Sequence, residues 1–120
     1  MIHHFSEPSK SLSSKILKAV PFKERFPVGR LKPPVGIIPG DVRSLPELHL
    51  FLEPDNASLP GINLRLLPEW IEMSIGDKEL ASSVQTIVDQ SVNYVEDCVK
   101  VCEVVGVRLD QARKTIKEAE

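Results

Sequence analysis

The sequence has no apolar run long enough to cross a bilayer, and no apolar segment follows its basic N-terminal region as a secretory signal requires. We therefore expect no membrane association, and we expect an intracellular protein, cytoplasmic or nuclear, or a virion component. Only two of the 120 residues are cysteine, which is too few for a disulfide-stapled secreted domain.

A strong charge of one sign is also missing. The chain carries 15 basic and 17 acidic residues, a formal net charge of -2. This balance excludes a histone-like tail, a polyanionic tail and the composition of a fully disordered chain. With 42% apolar residues, 120 residues are enough for one ordinary domain.

The chain lacks the short motifs that mark common active sites. It has no glycine-rich phosphate loop, no H-E-x-x-H zinc motif, no G-x-S-x-G nucleophile turn, no EF-hand loop and no C-x-x-C pair. Only six residues are aromatic, so the core that could support a pocket is small. We therefore expect a non-enzymatic protein with no cofactor and no metal site.

Proline is absent from the last 52 residues, because all ten prolines lie in the first 68. Proline fixes φ and removes a backbone donor, so the first part cannot hold a long helix. Residues 1–68 carry a net charge of +3 and residues 69–120 carry -5. The pattern predicts an extended, proline-rich arm over residues 1–46, with one short helix between Pro8 and Pro21 capped by Ser9 or Ser11.

The predicted arm is basic. We expect it to contact neighbouring subunits or a larger partner, since the other part of the chain is acidic. In the alternative, it contacts the phosphates of a nucleic acid, with Phe22 and Phe26 stacking on bases. The basic residues are Lys10, Lys15, Lys18, Lys23, Arg25, Arg30 and Lys32.

Residues 47–120 form the second predicted region, a hairpin followed by helices. Leucines alternate in residues 48–52, and apolar residues alternate in residues 62–66, as in two half-buried strands. Pro68 to Ser74 is predicted to form a short helix ending near Gly76. Trp70, the only tryptophan, is expected to pack in the core or to anchor a partner.

A heptad-like pattern of apolar and small residues follows, and Asp77 can cap the helix that carries it. The pattern predicts one long helix over residues 77–118 with a change of register beside Gly106. Two of its faces are apolar, so we expect a second copy to cover it in a bundle or coiled coil. The predicted interface residues are Leu80, Val84, Ile87, Tyr94, Cys98, Val101, Val105, Leu109 and Ile116.

No other residues form a convincing chemical site. Cys98 and Cys102 share a helix face but have no further soft ligand nearby in sequence, so they are interpreted as buried free thiols. His49 lacks an identifiable nucleophile. His3 and His4 beside the chain start, and the N-glycosylation sequon at residues 56–58, are interpreted as incidental.

The sequence therefore predicts an α+β protein, mainly α. We expect it to be a structural, scaffolding or adaptor subunit that self-associates through its C-terminal helix. The alternative is a nucleic-acid-binding protein with a dimerising helix and a phosphate-contacting arm.

Overall fold

The computed structural model of the chain describes residues 5–53 and 59–119. The fold is mixed α+β, with a three-stranded antiparallel sheet and a long C-terminal helix. The helices and strands, in chain order, are α1 (Lys10–Leu17), a 3-10 turn (Phe22–Glu24), β1 (Phe26–Lys32), β2 (Gly36–Val42), α2 (Leu45–Leu52), β3 (Leu59–Gly61), α3 (Leu67–Trp70) with a π-helical turn (Ile71–Ile75), α4 (Lys78–Asp89) and α5 (Tyr94–Ala119).

The N-terminal segment folds against the rest of the chain. Helix α1 begins where expected, because the Ser9 hydroxyl accepts a hydrogen bond from the backbone N–H of Leu12 at 3.0 Å. Its buried residue Ile16 lies in the same core as residues of α4 and α5. Helix α1 packs mainly on α5, so the basic part of the chain meets the acidic part within one molecule.

The prolines and glycines after Phe26 form a regular hairpin, whereas the sequence predicted an irregular extended segment. Strands β1 and β2 pair from Phe26 opposite Val42 to Lys32 opposite Gly36. Strand β3 pairs with the other edge of β1, which gives the order β2-β1-β3. The segment tolerates Pro39 and Pro60 because each lies in an edge strand, where a missing N–H costs no ladder bond if it faces outward.

The leucine-faced hairpin predicted at residues 48–52 and 62–66 is wrong. Residues 45–52 form helix α2, which the Ser44 hydroxyl caps by accepting from the N–H of Glu47 at 3.3 Å. Leu45, Leu48 and Leu52, spaced by three and four residues, face the core, while Leu50 is exposed. Leucine at every second position from 48 to 52 is the spacing of a strand face. In the capped helix, the buried face instead consists of Leu45, Leu48 and Leu52.

The predicted single helix over residues 77–118 is two helices. As predicted, Asp77 caps α4, since its carboxylate accepts from the N–H of Leu80 at 3.1 Å. Helix α4 ends at Asp89, and α5 starts after Asn93, whose side chain accepts from the N–H of Glu96 at 2.9 Å. The predicted helix therefore breaks at residues 90–93, and α5 continues through Gly106 without interruption. Helices α4 and α5 then pack on each other, so their apolar faces meet within one chain.

The segment after Pro68 matches its prediction. A helical stretch runs from Leu67 to Ile75 and ends at Gly76, which adopts the left-handed conformation at φ 88°. A residue with a side chain would be strained there, so glycine sets the end of the helix.

Candidate functional site

The nine residues predicted to face a second chain lie mostly in the core of this one. Seven of them are buried: Leu80, Val84, Ile87, Cys98, Val101, Val105 and Leu109. Tyr94 is 41% exposed and Ile116 is half-buried. The periodicity correctly marked these positions as ones that need cover. The expectation of a second helix against them loses its basis, because α1, α2 and α4 all pack on α5 within one molecule.

Trp70 takes the core role. Its side chain is 8% exposed, and its ring lies 5.6 Å from that of Phe26 between centroids. The indole N–H donates to the backbone carbonyl of Glu24. A buried side chain that packs on Phe26 and donates to the Glu24 carbonyl is not an exposed anchor for a partner.

The seven basic residues of the predicted arm remain at or near the surface, but two are engaged. The Arg25 guanidinium lies 4.6 Å from the centre of the Phe22 ring and 3.7 Å from the carboxylate of Asp41. Arg30 donates to the backbone carbonyl of Phe51 at 2.7 Å and lies over the ring of that residue. The exposed lysines are Lys10, Lys15, Lys18, Lys23 and Lys32.

Two thiols and a tyrosine line the contact between α5 and its neighbours. Burial raises the pKa of both the Cys98 and the Cys102 thiol, so neither is an activated nucleophile. Burial also raises the pKa of Tyr94 to about 12. The Tyr94 hydroxyl accepts from the N–H of Ile62 at 2.9 Å and donates to the Pro60 carbonyl, which ties β3 to the start of α5.

His49, on α2, lies against the backbone of α5. Its imidazole Nδ1 is 3.9 Å from a carboxylate oxygen of Glu53, and its carbonyl accepts a weak bond from the Cys102 thiol at 3.7 Å. In the described ranges, no three His, Cys, Asp or Glu side chains converge on a point where a metal ion could bind. His3, His4 and residues 56–58 lie outside the described residues.

A buried ion pair fastens the N-terminal segment. Arg108 and Asp77 are each 1% exposed, and the Arg108 Nε donates to the Asp77 carboxylate at 2.6 Å. Arg108 also donates to the carbonyl of Ser6 at 2.7 Å, and Gln111 donates to the carbonyl of Phe5. The pair thus joins the start of α4, α5 and the N-terminal segment through hydrogen bonds within one chain.

A small polar cleft lies beside the start of α5. Asp97 is 5% exposed; one carboxylate oxygen accepts from the Ser91 hydroxyl, and the other has no hydrogen-bond partner. The cleft measures about 260 Å³, and Arg65 stands on its lining. The unpaired oxygen has almost no exposed surface of its own, although Asp97 and Tyr94 both belong to the lining of the cleft.

The three-stranded sheet exposes a group of aliphatic side chains that belong to the β1–β2 hairpin and to β3. Leu31 stands between its cross-strand neighbours Ile37 and Leu59, and alternation places all three on the face opposite Arg30. Val35 lies in the turn between β1 and β2, whereas Ile38 pairs with Arg30 and lies on the other face. The exposed fractions of this hairpin patch are Leu31 40%, Val35 73%, Ile37 74% and Leu59 45%.

Two glycines shape the hairpin patch. A Cβ on Gly29 would come 2.9 Å from the Cγ2 atom of Ile37, and a Cβ on Gly61 would come 2.9 Å from the carbonyl oxygen of Gly29. Glycine at both positions lets β3 approach β1 and lets Ile37 lie over the strand. The hairpin patch therefore depends on the close packing of paired strands at these two glycines.

A second apolar surface lies at the start of α5. The valine stripe, as we name Val92, Val95 and Val99, is exposed to 69%, 54% and 37%. Glu96, Lys100 and Glu103 lie on the same side of the helix, because residues three, four and seven apart share a helix face. This surface is thus apolar at its centre and carries charges of both signs at its edge.

No family model, no curated protein and no solved structure matches this chain. Among the helices within residues 5–53 and 59–119, none has the length and hydropathy of a membrane-spanning segment.

The sequence carries a signal for both exposed surfaces. Residues 26–40 hold no acidic side chain and several aliphatic ones around Pro33 and Pro34, a pattern that also fits an irregular arm. The valines of α5 fit a second buried face equally well. Only the fold separates the valines that the chain covers from those that it leaves exposed.

Proposed function

We propose that the protein is a non-enzymatic assembly subunit that self-associates through its exposed apolar hairpin. The observation that carries the proposal is the hairpin patch, whose four aliphatic side chains include two that are nearly three-quarters exposed. Exposed aliphatic side chains gathered in one place are typical of interaction sites. The buried heptad residues have a separate role, which is to hold the single chain together.

The proposal places the protein in a reducing intracellular compartment, as a scaffold or adaptor. Two buried free thiols suit such a compartment. The sequence predicted the association surface on α4 and α5, whereas the present proposal assigns it to the sheet. The basic residues around α1 then serve mainly to join the two oppositely charged parts of one chain.

Sedimentation velocity on a dilution series of the full chain tests this proposal. We expect a species at a multiple of 13.4 kDa that dissociates on dilution and persists at high salt, since apolar contacts are not screened. A constant mass of 13.4 kDa at every concentration would contradict self-association.

A second candidate function is nucleic-acid binding, favoured by the surroundings of Phe22. This ring is 75% exposed and has Arg25 over one face. Lys15 on helix α1 and Lys18 just after it are exposed and precede the ring in the chain. Aromatic rings next to cations are sites where bases stack. Under this proposal, a single-stranded oligonucleotide binds at low salt, and Lys15→Glu with Lys18→Glu abolishes the binding. An affinity that does not fall as salt rises would rule it out.

A further inference from the structure

The polar cleft beside the start of α5 has the features of a small ligand site. Its lining comes from residues 62–65 after β3, from the end of α4, from the break between α4 and α5, and from the first turn of α5. Parts of the chain that are distant in sequence thus meet around one opening. The cleft measures about 260 Å³, slightly less than the pockets that hold drug-sized ligands, so it suits a smaller molecule.

The acidic group of the cleft is Asp97, whose hydrogen bonds the fold leaves incomplete. Asp97 is only 5% exposed, and the Ser91 hydroxyl donates to one of its two carboxylate oxygens. The other oxygen has no donor among the described residues. Native proteins seldom leave a buried polar atom without a partner, because the loss of its hydrogen bonds to water is destabilising. A ligand that brings N–H donors to Asp97 removes this cost, and a cationic donor gives the strongest hydrogen bond.

The Ser91 hydroxyl stands between the ligand and this carboxylate. The unpaired oxygen has almost no exposed surface, whereas Ser91 is exposed and lies in the break between α4 and α5. The hydroxyl can therefore turn toward water and release Asp97 while both helices stay in place. An ammonium group has three donors, so it can supply the oxygen that Ser91 releases and the one that has no donor.

The cleft also carries a positive charge and an apolar wall. Among the described residues of its lining, the charged side chains are Asp97 and Arg65, and Arg65 is exposed. Arg65 would repel a purely cationic ligand and Asp97 a purely anionic one, whereas a ligand with both charges finds a partner for each. Ile62, Leu64 and Val88 add aliphatic surface to the lining.

We propose that the cleft binds a small zwitterion, an amino acid with an aliphatic side chain. Its ammonium group binds Asp97, its carboxylate binds Arg65, and its side chain packs on Ile62 and Leu64. The Tyr94 hydroxyl is already bonded to backbone groups at residues 60 and 62, so it forms part of the wall. The site is separate from the hairpin patch, and ligand binding is therefore independent of the proposed self-association.

Three related probes test which groups of the ligand the cleft recognises. L-leucine carries both charged groups, isopentylamine lacks the carboxylate and isocaproate lacks the ammonium, while all three share the same aliphatic part. Nuclear magnetic resonance of the isotope-labelled full chain follows the backbone amide signals during each titration. We expect saturable shifts with leucine at residues 62–65 and 88–97. Either of the other probes is expected to bind at least about tenfold more weakly, because it lacks one charge-assisted contact.

Two variants match each charge of the ligand to its partner. Arg65→Gln is expected to weaken leucine binding at least about tenfold and to leave isopentylamine no weaker, since the amine has no carboxylate to lose. Asp97→Asn is expected to weaken leucine binding by a similar factor and to leave isocaproate no weaker. Arg113→Gln is the matched control, because Arg113 is an exposed arginine of α5 outside the cleft, and it keeps the wild-type affinity. Circular dichroism verifies that each variant folds.

Three results would overturn the proposal. Leucine that causes no saturable shift, or that shifts signals outside the cleft, shows that the cleft is not an amino-acid site. Isopentylamine that binds as tightly as leucine shows that Arg65 plays no part. An unchanged leucine affinity in Arg65→Gln has the same meaning, and it decides the question even if Asp97→Asn does not fold, because Arg65 is exposed.

Discussion

Arg108 and Asp77, 31 residues apart in sequence, form a two-pronged ion pair that is almost fully buried. Asp77 also caps α4, and Arg108 also holds the carbonyl of Ser6. One contact thus joins the start of α4, the middle of α5 and the N-terminal segment. Removing either partner leaves a buried charge without compensation, which is more costly than the loss of an exposed pair.

We expect Arg108→Met to lower the free energy of unfolding by about 3–5 kcal/mol, since Asp77 would stay buried and unpaired. Urea unfolding of the wild type and the variant measures this difference in free energy. Arg113→Met is the control, because Arg113 and Asp110 are an exposed pair at 3.8 Å, and its expected effect is within about 0.5 kcal/mol.

The double variant Arg108→Met with Asp77→Asn tests whether the unpaired carboxylate of Asp77 causes the loss of stability. Asparagine keeps the helix cap and removes the orphaned charge, so the double variant is expected to be more stable than Arg108→Met alone. A double variant that is less stable than Arg108→Met would show that the cost does not come from the buried carboxylate.

Tyr94 offers a spectroscopic prediction, because it is the only tyrosine of the chain. Its pKa in the folded protein is raised by burial to about 12, above its ordinary value of 10.0. The unfolded chain therefore loses this proton first, and stability falls as pH rises through the interval between the two values. Absorbance of the tyrosinate at alkaline pH is expected to have its midpoint near 12, or to rise together with unfolding measured by circular dichroism. A midpoint near 10 in a protein that is still folded would show that the Tyr94 hydroxyl is not held in this partly buried, hydrogen-bonded position.

Gly106 gives a prediction about two residues that meet across α2 and α5. Helix α5 is continuous at Gly106, where a Cβ would come 2.9 Å from the Nε2 atom of His49. In a His49→Ala background we expect Gly106→Ala to stabilise the protein by about 1 kcal/mol, through helix propensity. With His49 present, the gain in stability from Gly106→Ala is smaller, because the imidazole ring must move away from the new methyl group. An equal gain in both backgrounds, measured by a double-mutant cycle, would mean that the ring does not restrict this position.

Local signals in the sequence predicted the helix ends well. Ser9, Asp77 and Gly76 act on backbone groups within five residues, so their roles do not depend on the rest of the fold. Gly106 shows the opposite case. The sequence suggested a change of register there, whereas the reason for glycine is His49, which is 57 residues away in the chain and close only in the fold.

The periodicity of residues 80–109 identified which side chains need cover but not which molecule covers them. Heptad spacing in a coiled coil and in a packed helical hairpin is the same, because both bury one face of each helix. The break at residues 90–93 decides between the two, since it turns α5 back on α4. Leu48, Leu50 and Leu52 were misassigned for a similar reason, because a short leucine-rich segment satisfies both the strand and the helix period.

The central claim is that the exposed hairpin, and not the heptad face, mediates association. Light scattering on wild type, Ile37→Asp and Leu50→Asp, the control at an exposed leucine of α2, tests it most directly at one high concentration. We predict a multiple of 13.4 kDa for wild type and Leu50→Asp, and 13.4 kDa for Ile37→Asp. A multimer of unchanged mass in Ile37→Asp, or a monomeric wild type, would contradict the claim.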